Sequence, residues 1–272
     1  MSNYGMTATL AAVLLGLSGS LAAAPITVSD AYVGSEAGSF GDVVGADSDF
    51  DISSMEVDQN GSDFNFTINT NFADKSGTLF NSYTFGDTGI GYGDLFLANQ
   101  WTPEGAVPTP GDNAVNGYDQ DDVGNGTDWT WGLMLSNRYG NLGGDVTLFK
   151  LEGSNQDTAI LSDDLMLGDP GELSEWRYGQ EVAIKGNSEL VKSYGSVGSW
   201  SSSTGELSIT ADLSKSDLLG GNTLAFHWGM TCANDVIEGQ VDLKKVPEPG
   251  TIGLAGLALV GMFLMRRRSK AS

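Results

Sequence analysis

The chain has 272 residues, 38 of them glycine and 7 proline, with a formal net charge of −22 at pH 7. Six Trp, eight Tyr and eleven Phe supply more apolar ring surface than a disordered chain carries, and scarce proline excludes collagen-like or linker architecture. Four of the 13 basic residues (Arg266, Arg267, Arg268 and Lys270) stand in the last seven positions, leaving 9 basic against 34 acidic residues between Pro25 and Pro247, a net charge of −25 that excludes nucleic acid as a partner.

The chain opens with MSNYGMTATLAAVLLGLSGSLAAAP, an apolar centre from Met6 to Leu17 followed by small residues. This is the plan of a secretory signal peptide over residues 1–24, carried by the Sec translocon and removed by signal peptidase. Cleavage after Ala22 fits, with Ser20 and Ala22 as the small pair. Cleavage after Ala24 fits the same rule, but Pro25 directly behind the cut disfavours it. No Lys or Arg occurs in the first ten residues, so the amino terminus alone supplies positive charge. The run is short for a membrane span of about 20 residues.

Residues 25–245 form the body. Ile52, Met55 and Val57 precede an Asn60-Gly61 turn signal, after which Phe64, Phe66, Ile68, Thr70 and Phe72 alternate with polar residues. Period two behind a turn dipeptide predicts a β-hairpin. Further strands are predicted over Asp94–Ala98, Trp129–Ser136, Asp145–Glu152, Glu181–Lys185, Glu206–Ala211, Thr223–Met230 and Val236–Leu243, with Gly, Asn, Asp and Ser between them. No helical stripe of useful length appears, although Leu213–Leu219 has room for one turn. Many short strands with Gly-rich turns predict an all-β antiparallel sandwich or jelly roll. The polar stretch Trp101–Asp128 reads as a long insertion within one domain.

Candidate chemistry is sparse. The one cysteine, Cys232, leaves no intrachain disulfide, and with the one histidine, His227, too few soft ligands remain for zinc or copper. A Cys-His-Asp arrangement of His227, Cys232 and Asp235 fails on direction, because strand residues five apart point to opposite faces. Phe226 and Trp228 are expected on one face and His227 on the other, as in a half-buried strand. No catalytic residue is assigned, and paired carboxylates are expected by chance among so many acids.

Structural Ca²⁺ is the metal the composition favours, since hard cations take carboxylate and carbonyl oxygen. One candidate set is Asp47, Asp49 and Asp51, alternate residues expected to share a strand face. Another is Asp119, Asp121 and Asp128, in a stretch that begins like an EF-hand loop but has Val123 at the fifth position and no glutamate at the twelfth. Asn234 and Asp235 with Glu238 make a third acidic cluster.

At the far end, Thr251–Met265 is apolar for 15 residues and is followed by Arg266, Arg267 and Arg268. The run is marginal for a span, and the arginines should stay cytoplasmic, which places the body outside the inner membrane. Pro247 and Pro249 prevent regular structure from running into that helix and leave an extended, accessible segment.

Val246-Pro247-Glu248-Pro249-Gly250, the apolar helix and the arginine cluster together resemble the PEP-CTERM sorting signal of Gram-negative bacteria, here over residues 246–272. The resemblance implies that an exosortase-type protease of the inner membrane recognises and removes the tail after transient anchoring. The product then passes to the cell surface or an exopolysaccharide matrix. The body also resembles a set of exosortase-dependent surface proteins, through Gly93-Asp94-Leu95-Phe96-Leu97, Tyr178–Val182, and Phe226-His227-Trp228 leading to Cys232–Gly239. The expected function is structural or adhesive and not enzymatic. The alternative is a carbohydrate- or Ca²⁺-binding module that retains exopolysaccharide.

Overall fold

The computed structural model describes residues 24–32, 34, 41–105, 118, 120–167 and 176–244. The expected signal helix, up to residue 23, and the expected C-terminal membrane helix lie outside the described residues. Among the described residues no helix is long and apolar enough to cross a membrane.

The strands, in chain order, are β1 (Ile26–Ser29), β2 (Ile52–Asn60), β3 (Asp63–Thr70), β4 (Leu95–Ala98), β5 (Trp131–Leu135) and β6 (Gly144–Leu151). There follow β7 (Ala159–Leu161), β8 (Glu181–Ile184), β9 (Val191–Ser203), β10 (Glu206–Asp212), β11 (Thr223–Gly229) and β12 (Val236–Asp242). All predicted strands are present within one or two residues, and among the described residues the helices are single turns. The predicted β2–β3 hairpin pairs Asn60 with Asp63, and Gly61 takes φ 67° in its two-residue turn. Phe64, Phe66 and Ile68 face the core while Asn65, Thr67 and Asn69 alternate outward. Ile52 and Met55, three apart, both face inward because a register shift between Ile52 and Ser54 resets the alternation.

The all-β, antiparallel class is as expected, but the sandwich is not. Ten strands form one sheet in the order β1-β2-β3-β10-β9-β6-β5-β4-β11-β12. The two edges approach each other, β12 lying beside β1 and β2, so the sheet is a nearly closed, barrel-like coil. The 13-residue β9 prevents a division into two sheets, because it pairs β10 on one side and β6 on the other. Register shifts in β6 between Val146 and Thr147, and again before Phe149, bend the ladder through this junction. At Gly198 of β9 a Cβ would stand 1.9 Å from the Thr210 carbonyl oxygen, so the close approach to β10 requires glycine.

The coil encloses a core that includes Phe66, Ile68, Leu97, Trp131, Phe226 and Trp228. Each such side chain contributes about 1.5–3 kcal/mol by leaving water. A separate two-stranded sheet, β7–β8, covers the opposite face of β4 and β11. There Ile184 and Ala159 pack against Phe96, Ala98 and Ala225. Consequently β11 is buried on both faces, and His227 is 0% exposed instead of lying on a half-buried strand.

Candidate functional site

The β8 cover leaves a polar centre beneath it. Phe226 and Trp228 point into the main core, as expected, and His227 points the other way. Its partner in the β11–β12 register is Glu238, so the two side chains share a face. Nδ1 of His227 lies 2.7 Å from Oε1 of Glu238, and Nε2 lies 2.7 Å from the Glu181 carbonyl oxygen. A carbonyl can only accept, so Nε2 carries a proton and donates. One further proton is then shared between Nδ1 and the Glu238 carboxyl. The rings of Phe96 and Trp129 stand 5.7 and 5.6 Å from the imidazole and exclude water.

Three carboxyl groups converge here. The indole N–H of Trp101 donates to Oε2 of Glu238 at 2.9 Å. Burial pushes the Glu238 carboxyl up to about 7. Burial also raises Glu181 to about 7, with the His227 charge opposing and the Glu238 charge adding. Asp121, 3% exposed, is raised further by burial, then by the charge of Glu238 and a hydrogen bond to it. Burial conversely lowers His227. Asp121 reaches this position because the chain folds against Gly126, which adopts φ 77° and whose Cβ would overlap the Asp121 carboxylate.

A second acidic centre adjoins the first through Tyr32. The tyrosine hydroxyl is 2.9 Å from Oε1 of Gln180 and 3.0 Å from the Asp121 carbonyl, while its amide donates to Oδ1 of Asp30 at 3.1 Å. Among the described residues, Asp30, Asp42 and Asp235 bring carboxylate oxygens within 4.8 Å of one another. Asp235, at the start of β12, accepts the Ile52 amide at 2.6 Å and the Val236 amide at 2.9 Å. Burial and the neighbouring carboxylates raise both Asp30 and Asp235 well above the usual range, while the Arg177 charge pulls Asp235 down. Arg177 is itself 0% exposed, and its donors go to the carbonyls of Gly34, Gly41, Asp42 and Ala233.

The structure redistributes the residues expected to hold Ca²⁺. Asp47–Phe50 is a helical turn, α1, so Asp47, Asp49 and Asp51 do not share a strand face. Acidic residues favour the first turn of a helix, where its amides are unpaired. Asp49 pairs instead with Lys75 at 2.9 Å, and the backbone carbonyls of Asp47 and Asp51 accept from Asn71. In the other set, Asp121 is buried, Asp128 is exposed, and Asp119 lies outside the described residues. Val123 is buried and its amide donates to Gly179 at 2.9 Å, docking this stretch against the segment before β8. The Asp235–Glu238 cluster divides, each acid serving a different centre. Cys232 is buried among them, its thiol pushed up to about 12 by burial. His227 spends both ring nitrogens on Glu238 and Glu181, and no Cys-His pair forms between them.

Asp30, Asp42, Arg177 and Glu181 were invisible as site residues in the sequence. They are scattered singly along the chain, and only the approach of the sheet edges and the β7–β8 cover assembles them.

The tail that follows β12 matches a known family at residues 245–268, the PEP-CTERM protein-sorting motif. The match covers the segment singled out from its prolines, apolar run and arginines, and it supports exosortase-dependent sorting of a surface protein. Val246–Gly250 and Arg266–Arg268 lie within it and outside the described residues, as does Ala22 of the expected signal cleavage. Ala24 is described and exposed. No curated protein and no solved structure matches the chain.

Proposed function

We propose that the body is a non-enzymatic, structural or adhesive module that an exosortase-type protease releases by processing at Val246–Gly250. In this reading the chain crosses the inner membrane of a Gram-negative bacterium through the Sec translocon. Signal peptidase then cuts near Ala22 or Ala24. The apolar tail anchors the body until processing delivers it to the cell surface or matrix. The observation that supports the sorting part of this reading is the motif match at residues 245–268, which begins shortly after the last strand ends at Asp242. Nothing separates the sheet from the processing signal except two or three residues, so a cut there releases the fold intact.

Replacing Pro247, Glu248 and Pro249 together by alanine tests this. The expected result is accumulation of the uncut chain in the inner-membrane fraction, and unchanged delivery to the surface contradicts it.

The alternative, a module that retains exopolysaccharide or binds a cation, draws support for its cation half from the Asp30, Asp42 and Asp235 carboxylates. A glycan array with and without chelator addresses the carbohydrate half, and binding to no polysaccharide removes it.

A further inference from the structure

The acidic centre at the sheet edges gathers more carboxyl groups than its protein partners neutralise. Three carboxylates stand against one guanidinium, and every bond Arg177 makes goes to a backbone carbonyl. Fully ionised, the triad would carry −3 beside a cation at +1, the balance of a divalent ion; without one, burial and mutual repulsion hold protons on Asp30 and Asp235. Oδ2 of Asp30 is sealed from solvent, and among the described residues no amide or hydroxyl donor reaches it, the neighbouring Asp235 carboxyl alone being placed to share a proton with Asp30. A buried carboxylate oxygen without a donor costs roughly 1–3 kcal/mol or more, which a bound cation would offset. Asp235 has both oxygens held by amides, which fixes its carboxylate without consuming all its lone pairs.

The spacing agrees with a metal ion. Ca²⁺ binds oxygen at about 2.3–2.6 Å, so two ligands on opposite sides of it stand about 4.6–5.2 Å apart, and adjacent ones closer. The three carboxylates lie within 4.8 Å of one another. Asp42 is exposed while Asp235 is 0% exposed, giving the ion a wet entrance and a dry floor. Water entering on the Asp42 side completes a coordination number of about 6–8, which Ca²⁺ tolerates in irregular geometry and Mg²⁺ does not.

We infer that Asp30, Asp42 and Asp235 form a Ca²⁺ site that clasps the two edges of the coiled sheet. Asp30 follows β1, Asp42 precedes α1, and Asp235 directly precedes β12, so the ion ties the N-terminal segment to the final hairpin. The same seam is held by the Ile52 amide on Asp235 and by the Val44 amide on the Asn234 carbonyl at 2.7 Å. Binding there stiffens the join just ahead of the processed tail. The inference deepens the cation-binding reading and is independent of how the tail is sorted.

Calorimetric titration of CaCl₂ into the chelator-treated full-length chain in mild detergent tests it. One Ca²⁺ per chain is expected, and a hundredfold excess over Kd should raise Tm by roughly 5–10 °C. Asp42→Asn, at the exposed entrance, should weaken binding at least tenfold, and Asp145→Asn, on an outer strand face, should leave it unchanged. Asp30→Asn keeps an oxygen for the Tyr32 amide and removes a repelling charge. It should therefore raise Tm in chelator while abolishing the Ca²⁺ response, which a merely structural aspartate would not do. No heat of binding and no Tm shift in millimolar Ca²⁺ overturns the inference, as does undiminished Ca²⁺ affinity in Asp42→Asn. Tail processing is read separately by mass, so failure of one reading is distinguishable from failure of the other.

Discussion

His227 and Glu238 face each other across paired strands with 2.7 Å between Nδ1 and Oε1, their side chains 0% and 4% exposed. Removing one member leaves the other buried without its partner, and a buried polar group so orphaned costs about 3–5 kcal/mol when charged. His227→Ala also opens a cavity between Phe96 and Trp129. The variant should lose about 3 kcal/mol or more in urea unfolding. A loss below about 1 kcal/mol would mean that the pair does not hold this layer together.

The same centre makes stability depend on pH. Glu181 and Glu238 titrate near 7 in the fold against 4.5 as free groups, so the folded state binds their protons more tightly. Their contribution is full below 4.5 and is lost as pH rises through about 7. The upward shift of Asp121 acts in the same direction, whereas the lowered His227 contributes above 6.5 and loses that contribution on acidification. The urea midpoint should therefore rise when pH is lowered from 8 to about 6. Glu238→Gln should flatten that rise, and a wild-type midpoint that falls over this window contradicts the assignment.

Cys232 should be chemically silent in the fold. It is 0% exposed and its thiol is raised to about 12, so almost no thiolate forms at neutral pH. Iodoacetamide at pH 8 should leave the native chain unmodified and label it fully in denaturant. Rapid native labelling, or a disulfide-linked dimer, would place the thiol at a surface.

Gly198 should tolerate no side chain. Its Cβ would stand 1.9 Å from the Thr210 carbonyl, so Gly198→Val must push β9 away from β10. Overpacking of this kind costs about 1–3 kcal/mol, occasionally more. Gly220→Ala, where nothing lies within 4 Å, should be nearly neutral by the same urea assay. Equal effects of the two substitutions would argue against the β9–β10 contact.

Much of the sheet was legible because its strands announce themselves. Phe64, Phe66 and Ile68 alternate with Asn65 and Thr67, and Gly61 marks the turn between β2 and β3. The strand β9 was not legible. Its sequence, VKSYGSVGSWSSS, is Ser- and Gly-rich and buries few side chains, and it is strand because both its edges are paired. Missing it concealed the link that makes one coiled sheet where a sandwich was expected. The site was harder still. Asp235 and Glu238 stood out as acids near the last strands, but Asp30, Asp42 and Glu181 carry no local pattern. Their proximity depends on sheet closure and on the β7–β8 cover, neither of which hydrophobic periodicity encodes. The family of the tail, by contrast, was readable, because a sorting signal must be recognised as a linear segment.

The central claim is that the tail is temporary. The most direct measurement is the intact mass of the protein recovered from its native envelope. The account predicts a species that ends within or close to Val246–Gly250 and lacks Arg266, Arg267, Arg268 and Lys270. A mature surface species that still carries those residues would contradict it.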